Sequence, residues 1–169
     1  MLDTFSHGLW GKGLFGYRGH GKLAVLFGIM PDLCSFGLLG LIQIFSNDFS
    51  PGPPKIDIIP KWIVFNYDIT HSFVTAFTSI LVVSRFNKNV AFAMLAWPFH
   101  ILLDFPFHSK EYFPTKLFYP ITHFSIDGIP WSNPEVWFPN ISRIIILFIY
   151  RYKTRNRDID DFASFVVLI

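Results

Sequence analysis

The sequence predicts an all-α protein: a small helical membrane bundle of about four apolar helices plus an N-terminal helix, closed by an aromatic- and proline-rich cap loop. Three observations carry this expectation. Of the 169 residues, 51% are hydrophobic and only 15% are charged, whereas a soluble domain averages about 25% charged residues. Phe is used 21 times, a residue suited to lipid-facing and interfacial surfaces. Apolar runs also recur along the chain, near residues 23–45, 69–86, 90–105 and 136–150.

The first run is the longest, and Met30-Pro31-Asp32 interrupts it. Proline lacks a backbone donor and disfavours helix at the preceding residue. The run therefore predicts two short helices meeting at Pro31-Asp32. Irregular backbone at membrane depth survives only inside protein or beside a watered cavity, which places Asp32 in the interior. The other three runs fall short of the roughly 20 apolar residues a span needs. They suit little tilt, a thinned bilayer or a partly interfacial position. In the fourth run, Pro139 predicts a late helix start.

Ser50-Pro51-Gly52-Pro53-Pro54 marks a turn-rich loop. Residues 106–140 hold Trp131 and Trp137 among several prolines and form the expected interfacial cap. The length suits one domain, taken as a helical membrane domain over residues 1–150. A tail over 151–169 is basic from Arg151 to Arg157, then acidic at Asp158, Asp160 and Asp161. Lys12, Arg18 and Lys22 precede the first run, Arg85 and Lys88 separate the second from the third, and the basic tail follows the fourth. Positive charge favours the cytoplasmic side. An integral protein of a bacterial-type inner membrane, with both termini cytoplasmic, is the expectation.

Several classes are excluded. A net charge of +2 without a basic, aromatic-interleaved stretch argues against nucleic-acid binding. The single cysteine, Cys34, rules out an intrachain disulfide framework or a CxxC zinc site. The first ten residues carry Asp3 and His7 instead of a basic start and an apolar stretch, so the N-terminus reads as mature protein. The expected partner is the lipid bilayer, and no sequence feature fixes an oligomeric state.

The ionisable residues inside or at the ends of apolar runs are His7, Asp32, His71, His100, Asp104 and His108. A charged Asp near the bilayer centre costs about 2.5–3.5 kcal/mol on insertion scales, so such residues pair, line cavities or bind ions. His100-Ile101-Leu102-Leu103-Asp104 sets imidazole and carboxylate on one helix face, a spacing that lets both ligate one ion. His71 opens the second run, and Asp32 sits at the proline. Asp32, His71, His100 and Asp104 thus supply two carboxylates and two imidazoles, a plausible set for a divalent metal such as zinc. His7 could complete a second metal centre. Asp32 or Asp104 could also take a proton from an attacking water. Ser72, His108 and His123 are candidates for supporting or substrate contacts. Each residue has an ordinary alternative: an HxxxD pair is often a surface hydrogen bond, Asp32 a favoured helix cap, and His20 and His123 loop residues.

The ordered set Ser6-His7, Gly28-Ile29-Met30-Pro31-Asp32-Leu33, Ile69-Thr70-His71-Ser72, His100 to Asp104, Phe107-His108-Ser109 and Leu117-Phe118-Tyr119-Pro120 resembles the bacterial membrane-bound metal-dependent hydrolases, the YdjM-like inner-membrane proteins. The resemblance covers roughly residues 1–125. It is more distantly similar to the zinc-dependent phospholipase C and P1 nuclease fold, where a helical bundle orders such residues around zinc. These likenesses imply that Asp32, His71, His100 and Asp104 share one ion, with Asp104 bridging to a second ion held by His7. They imply a hydrolase and leave its substrate open; the site's place near the membrane face suggests a lipid-linked or lipidic substrate, with a phosphoester the first expectation. The chain departs from the family pattern at Cys34, where a second acidic residue is common, and at Asn66 to Ile69, where an Arg-Gly pair is common. Two other readings of the same residues stay open: a membrane scaffold whose His and Asp residues tie helices together, and an ion or proton transporter.

Overall fold

The structure is a computed structural model and describes residues 2–46, 59–110 and 112–154, with side chains from residue 4 onward. Every regular element among them is helical, in the order α1 Leu2–Phe15, α2 Gly21–Asp32, a π-helical turn Leu33–Gly37, α3 Leu38–Phe45, α4 Lys61–Thr70, α5 Phe73–Ser84, α6 Lys88–Met94, α7 Ala96–Asp104 and α8 Pro134–Thr154. The loop expected at residues 50–54 and the acidic part of the tail lie outside the described residues.

Pro31 does not break the first apolar run. The chain stays helical for 25 residues from Gly21 to Phe45, the one helix among the described residues long and apolar enough to cross a membrane. The strain is absorbed by the π-helical turn that follows the proline, a common device near functional residues. Side chains satisfy the carbonyls this loosens. Ser35 Oγ donates to the Pro31 carbonyl at 3.0 Å, and Asn66 Nδ2 on α4 donates to the Cys34 carbonyl at 3.4 Å.

The second and third runs each contain a break that the apolar pattern hides. α4 ends at Thr70 and α5 begins at Phe73, with His71 between them and Ser72 capping α5 by accepting from Val74 N at 3.1 Å. α6 and α7 part at Leu95, three residues before Pro98, whose missing N–H cannot reach back into α6. α8 starts at Pro134, earlier than Pro139 suggested. Pro134 fits the first helical position, and Asn133 Oδ1 accepts from Glu135 N at 2.9 Å. The hydrogen bond that Pro139 forgoes is to the carbonyl of Glu135, an exposed residue where water can replace it. Arg151 to Thr154 continue this helix.

Three buried clusters hold the bundle. Trp10 and Leu14 of α1 pack on Ile144 and Leu147 of α8. Leu39, Ile59, Ile63, Tyr67 and Phe113 join α3 and α4 to the cap loop. Ala76, Met94, Trp97 and Ile101 join α5, α6 and α7. A buried polar link crosses the first cluster: Trp10 Nε1 donates to Asn140 Oδ1 at 2.8 Å, and Asn140 Nδ2 donates to Ser6 Oγ at 3.1 Å.

The closest packing is between α1 and α2. A Cβ on Gly28 would lie 2.5 Å from the His7 carbonyl oxygen, and one on Gly11 would lie 2.4 Å from the Ala24 carbonyl oxygen. Small residues at such positions let two helix backbones approach. This approach sets His7 directly beside the middle of α2.

Candidate metal centre

Three segments deliver one side chain each to a common point, and α7 delivers two. His7 comes from α1, Asp32 from the end of α2, His71 from the α4–α5 break, and His100 and Asp104 from one face of α7. All five are 0–5% exposed. The proline-induced π-helical turn begins at the residue after Asp32, and the α4–α5 break leaves the His71 backbone non-helical. The irregular geometry therefore falls where the ligating residues sit.

The geometry of four donors fits a metal ion. His71 Nε2 stands 3.3 Å from Asp104 Oδ2 and 3.6 Å from Asp32 Oδ1. His100 Nε2 stands 3.0 Å and 3.6 Å from the same two oxygens. The two Nε2 atoms are 3.1 Å apart. All four donor atoms lie within 4.8 Å of one another. An ion held tetrahedrally at about 2.0–2.1 Å from N and O donors requires donors about 3.3–3.4 Å apart.

The hydrogen bonds on the outer atoms fix which way the lone pairs point. His100 Nδ1 lies 2.7 Å from the Gly28 carbonyl, and His71 Nδ1 lies 3.1 Å from the Tyr67 carbonyl. A carbonyl only accepts, so each Nδ1 carries a proton, and in its neutral form each ring presents a bare Nε2 to the centre. Asp32 Oδ2 accepts from Thr4 Oγ1 at 2.6 Å, leaving Oδ1 for the centre. Asp104 Oδ2 is buried and has no hydrogen-bond donor. With both rings in that form, four acceptors converge at one point. Burying such a set is costly unless a cation neutralises it.

Asp104 Oδ1 faces a second group. His7 Nε2 lies 2.9 Å away, Trp131 Nε1 donates at 3.3 Å, and His108 Nε2 lies 3.5 Å away. The His7 ring also packs on His100, with centroids 3.8 Å apart. His108 Nδ1 donates to the Phe113 carbonyl at 3.0 Å. Phe113 adopts φ 50, a left-handed conformation that costs a bulky residue roughly 1–2 kcal/mol. Its complete burial in the α3–α4 cluster holds that conformation and aims its carbonyl at His108. Burial opposes a charged His108, but the Asp104 carboxylate outweighs it and raises the imidazole above its ordinary pKa.

Tyr67 is the contributor that the sequence reading passed over. Its ring stacks on His71 at 3.8 Å and its carbonyl holds His71 Nδ1. Its hydroxyl bonds Thr115 Oγ1 at 2.9 Å and His108 Nδ1 at 3.1 Å. Burial, and then the charge of Asp104, push this phenol well above its ordinary pKa, so it stays neutral. The signal available was spacing: Tyr67, in the last turns of α4, precedes His71 by four residues. Thr4, Gly28 and the Thr70 carbonyl, which accepts from Trp97 Nε1 at 2.6 Å, carried no comparable signal.

The remaining candidates separate. Ser72 is buried, but its hydroxyl donates to the Tyr119 carbonyl at 2.6 Å and caps α5, so it ties the cap loop to the bundle. His123 is exposed and packs edge-on against Tyr119, outside the cluster. His20 bonds the Arg18 carbonyl in the α1–α2 turn. Asp68 pairs with Lys116 at 2.7 Å. Cys34 is half-buried within the π-helical turn. The cap loop closes over the centre through Trp131 and through Gly128, whose N–H donates to the His108 carbonyl at 2.9 Å. A Cβ on Gly128 would lie 2.3 Å from the Pro106 carbonyl oxygen, so only glycine fits there.

Fold and site define the class: an all-helical protein with a buried two-histidine, two-aspartate centre that could hold a metal ion. Comparison with protein-family models, with curated proteins and with solved structures gives no match.

Proposed function

We propose that the protein is a membrane-bound, metal-dependent hydrolase acting on a phosphoester, with a lipid-linked molecule as the substrate class. One observation carries the reading: four buried acceptor atoms converge with their outer atoms already bonded. That arrangement is preorganised for a divalent ion, and the two-nitrogen, two-oxygen donor set suits zinc. A divalent ion in such a site supplies Lewis acidity and lowers the pKa of a coordinated water to about 7. His71, His100, Asp32 and Asp104 are the residues to hold it. His7 and His108, both at Asp104 Oδ1, are the residues to hold a second ion, with Asp104 shared between the two.

The chain's own groups supply the proton handling. Asp104 Oδ1 accepts at the centre, and the His108 side chain, at 10% exposure, connects it toward solvent. With only the first ion held, that pair can take a proton from an attacking water and release it. The Trp131 and Phe107 rings, 4.5 Å apart, cover the centre and limit water. The lipidic substrate follows from the outer surface. Leu41, Ile44 and Phe45 on α3, Phe77 and Leu81 on α5, and Ile146 on α8 are all at least half exposed, an arrangement a bilayer would cover.

The test is metal content with turnover. Purified protein should carry about one divalent ion per chain or more, lose it in a His100→Ala/Asp104→Ala double variant, and hydrolyse phosphoesters only when loaded. Protein that stays folded, metal-free and indifferent to chelators would sink the reading. Bound metal without turnover of phosphoester, ester or amide substrates would replace it with a structural site, and ion movement in proteoliposomes would replace it with a transporter.

A further inference from the structure

The end of the bundle opposite the metal centre gathers positive charge. Lys12 lies in the last turn of α1, Arg18 in the α1–α2 turn, and Lys22 at the start of α2. Arg85 ends α5 and Lys88 begins α6. Arg151 and Lys153 lie in the last turn of α8. Aromatic contacts bring these ends together. The Arg18 guanidinium sits 3.9 Å from the Phe92 ring centroid, one turn beyond Lys88. Phe92 meets Tyr17 edge-on at 5.3 Å. Arg151 lies 4.2 Å over the Tyr17 ring and donates to the Gly13 carbonyl at 2.6 Å.

The carboxylates with described side chains are elsewhere. Asp32, Asp68 and Asp104 lie at the far ends of α2, α4 and α7, and Asp127 and Glu135 belong to the cap loop and the first turn of α8. Lys12, Arg18, Lys22, Arg85 and Lys88 are exposed. They repel one another with no carboxylate among the described residues to relieve it, so an anionic partner is favoured. A second observation selects the partner. Phe86 is 86% exposed and Tyr152 is 71% exposed at the same end. Aromatic rings beside cations, above exposed apolar helix faces, match the headgroup level of a bilayer; a nucleic-acid or peptide groove has no use for the apolar faces.

We propose that this basic end is a docking surface for anionic phospholipid headgroups, which seats it in one leaflet and directs the metal centre away from that leaflet. The proposal is independent of whether the centre turns over a substrate.

The test uses the full chain in a neutral detergent with phosphatidylglycerol or phosphatidylcholine added, read by native mass spectrometry and thermal unfolding. Wild type should retain phosphatidylglycerol over phosphatidylcholine by about tenfold or more at low salt, and high salt should erase the preference. The variant Lys12→Gln/Lys22→Gln/Arg85→Gln/Lys88→Gln should lose the preference while its lipid-free unfolding and metal content stay unchanged. If that variant fails to fold, Arg85→Gln and Lys88→Gln separately should each lower the preference. Equal retention of the two lipids by wild type overturns the proposal, as does an undiminished preference in the folded variants. Displacement of the anionic lipid by a short DNA duplex also overturns it, in favour of a nucleic-acid surface.

Discussion

At one end of the bundle, two aspartates and two histidines are packed out of water with their outer atoms bonded to Thr4, Gly28 and Tyr67. At the other, lysines and arginines stand in solvent, and the guanidinium groups of Arg18 and Arg151 rest on aromatic rings. Both ends concentrate one sign of charge, but the consequences differ. In the interior the effective dielectric is low, so the acceptors at the metal centre interact strongly and demand a specific counter-charge at a specific place. At the surface the cations are screened within about 8 Å at physiological salt, so they tolerate many counter-ions and constrain the fold little. The contrast predicts that substitutions should have large effects at the first end and small ones at the second.

The largest effect belongs to Asp104, whose Oδ2 faces both His71 and His100 while Oδ1 faces His7 and His108. Asp104→Asn keeps the shape but removes the charge. Its amide nitrogen would place N–H groups where acceptors are required. Perturbing groups that merely orient ligands costs about 10–100-fold in metal affinity. Loss of this shared ligand should exceed about 100-fold, measured by competition with a chelating dye. Protons compete for the same donors, so wild-type affinity should also fall as pH drops through the ordinary imidazole range near about 6.5. An Asp104→Asn variant that binds metal like wild type would remove the distinction between the two ends.

A smaller effect is expected at Gly28. Gly28→Ala adds one methyl group 2.5 Å from the His7 backbone oxygen and 3.3 Å from Gly8 Cα. The neighbour is backbone and cannot rotate away, so α1 must move. Overpacking of this kind costs about 1–3 kcal/mol. The Gly28 carbonyl also anchors His100, so the shift should weaken metal binding together with folding. Thermal unfolding of the metal-free and metal-loaded protein separates the two contributions. Equal destabilisation of both forms would show that α1 can move without disturbing the centre.

The same contrast explains what the sequence made legible. The clustered residues were readable because apolar runs make any buried Asp or His conspicuous, and because His100 and Asp104 share a helix face through local spacing. The helical class follows from equally local rules, though the α4–α5 break at Thr-His-Ser was hidden inside a continuous apolar pattern. Partners that act through their backbone were not readable. The carbonyls of Gly28, Tyr67 and Phe113 fix three imidazoles, and any residue type has a carbonyl. Pro31 misled for a related reason: its local rule predicts a break, but Ser35 on the same turn, and Thr70 and Asn66 on α4, donate to the loosened turn and keep the helix going. That compensation is tertiary and leaves no mark in the local pattern.

The smallest effects should come from the basic end. Arg85 and Lys88 are exposed on either side of the α5–α6 turn, and Asn87 already caps α6 by accepting from Asn89 N and Val90 N at 3.0 Å each. Neither cation is needed to close that turn. Lys88 even sits in the first turn of α6, where the helix dipole disfavours positive charge by a few tenths of a kcal/mol or more. Lys88→Gln should therefore leave lipid-free stability within about 0.5 kcal/mol of wild type, with a slight gain at low salt, and leave metal affinity unchanged. Unfolding at two salt concentrations checks the sign, because relief from the dipole and from the neighbouring cations is screened by salt whereas a lost packing contact is not. A clear, salt-independent loss of stability would mean that Lys88 is held in the fold as firmly as the ligands at the opposite end, and the basic surface would then be part of the core structure and not a face kept free for an anionic partner.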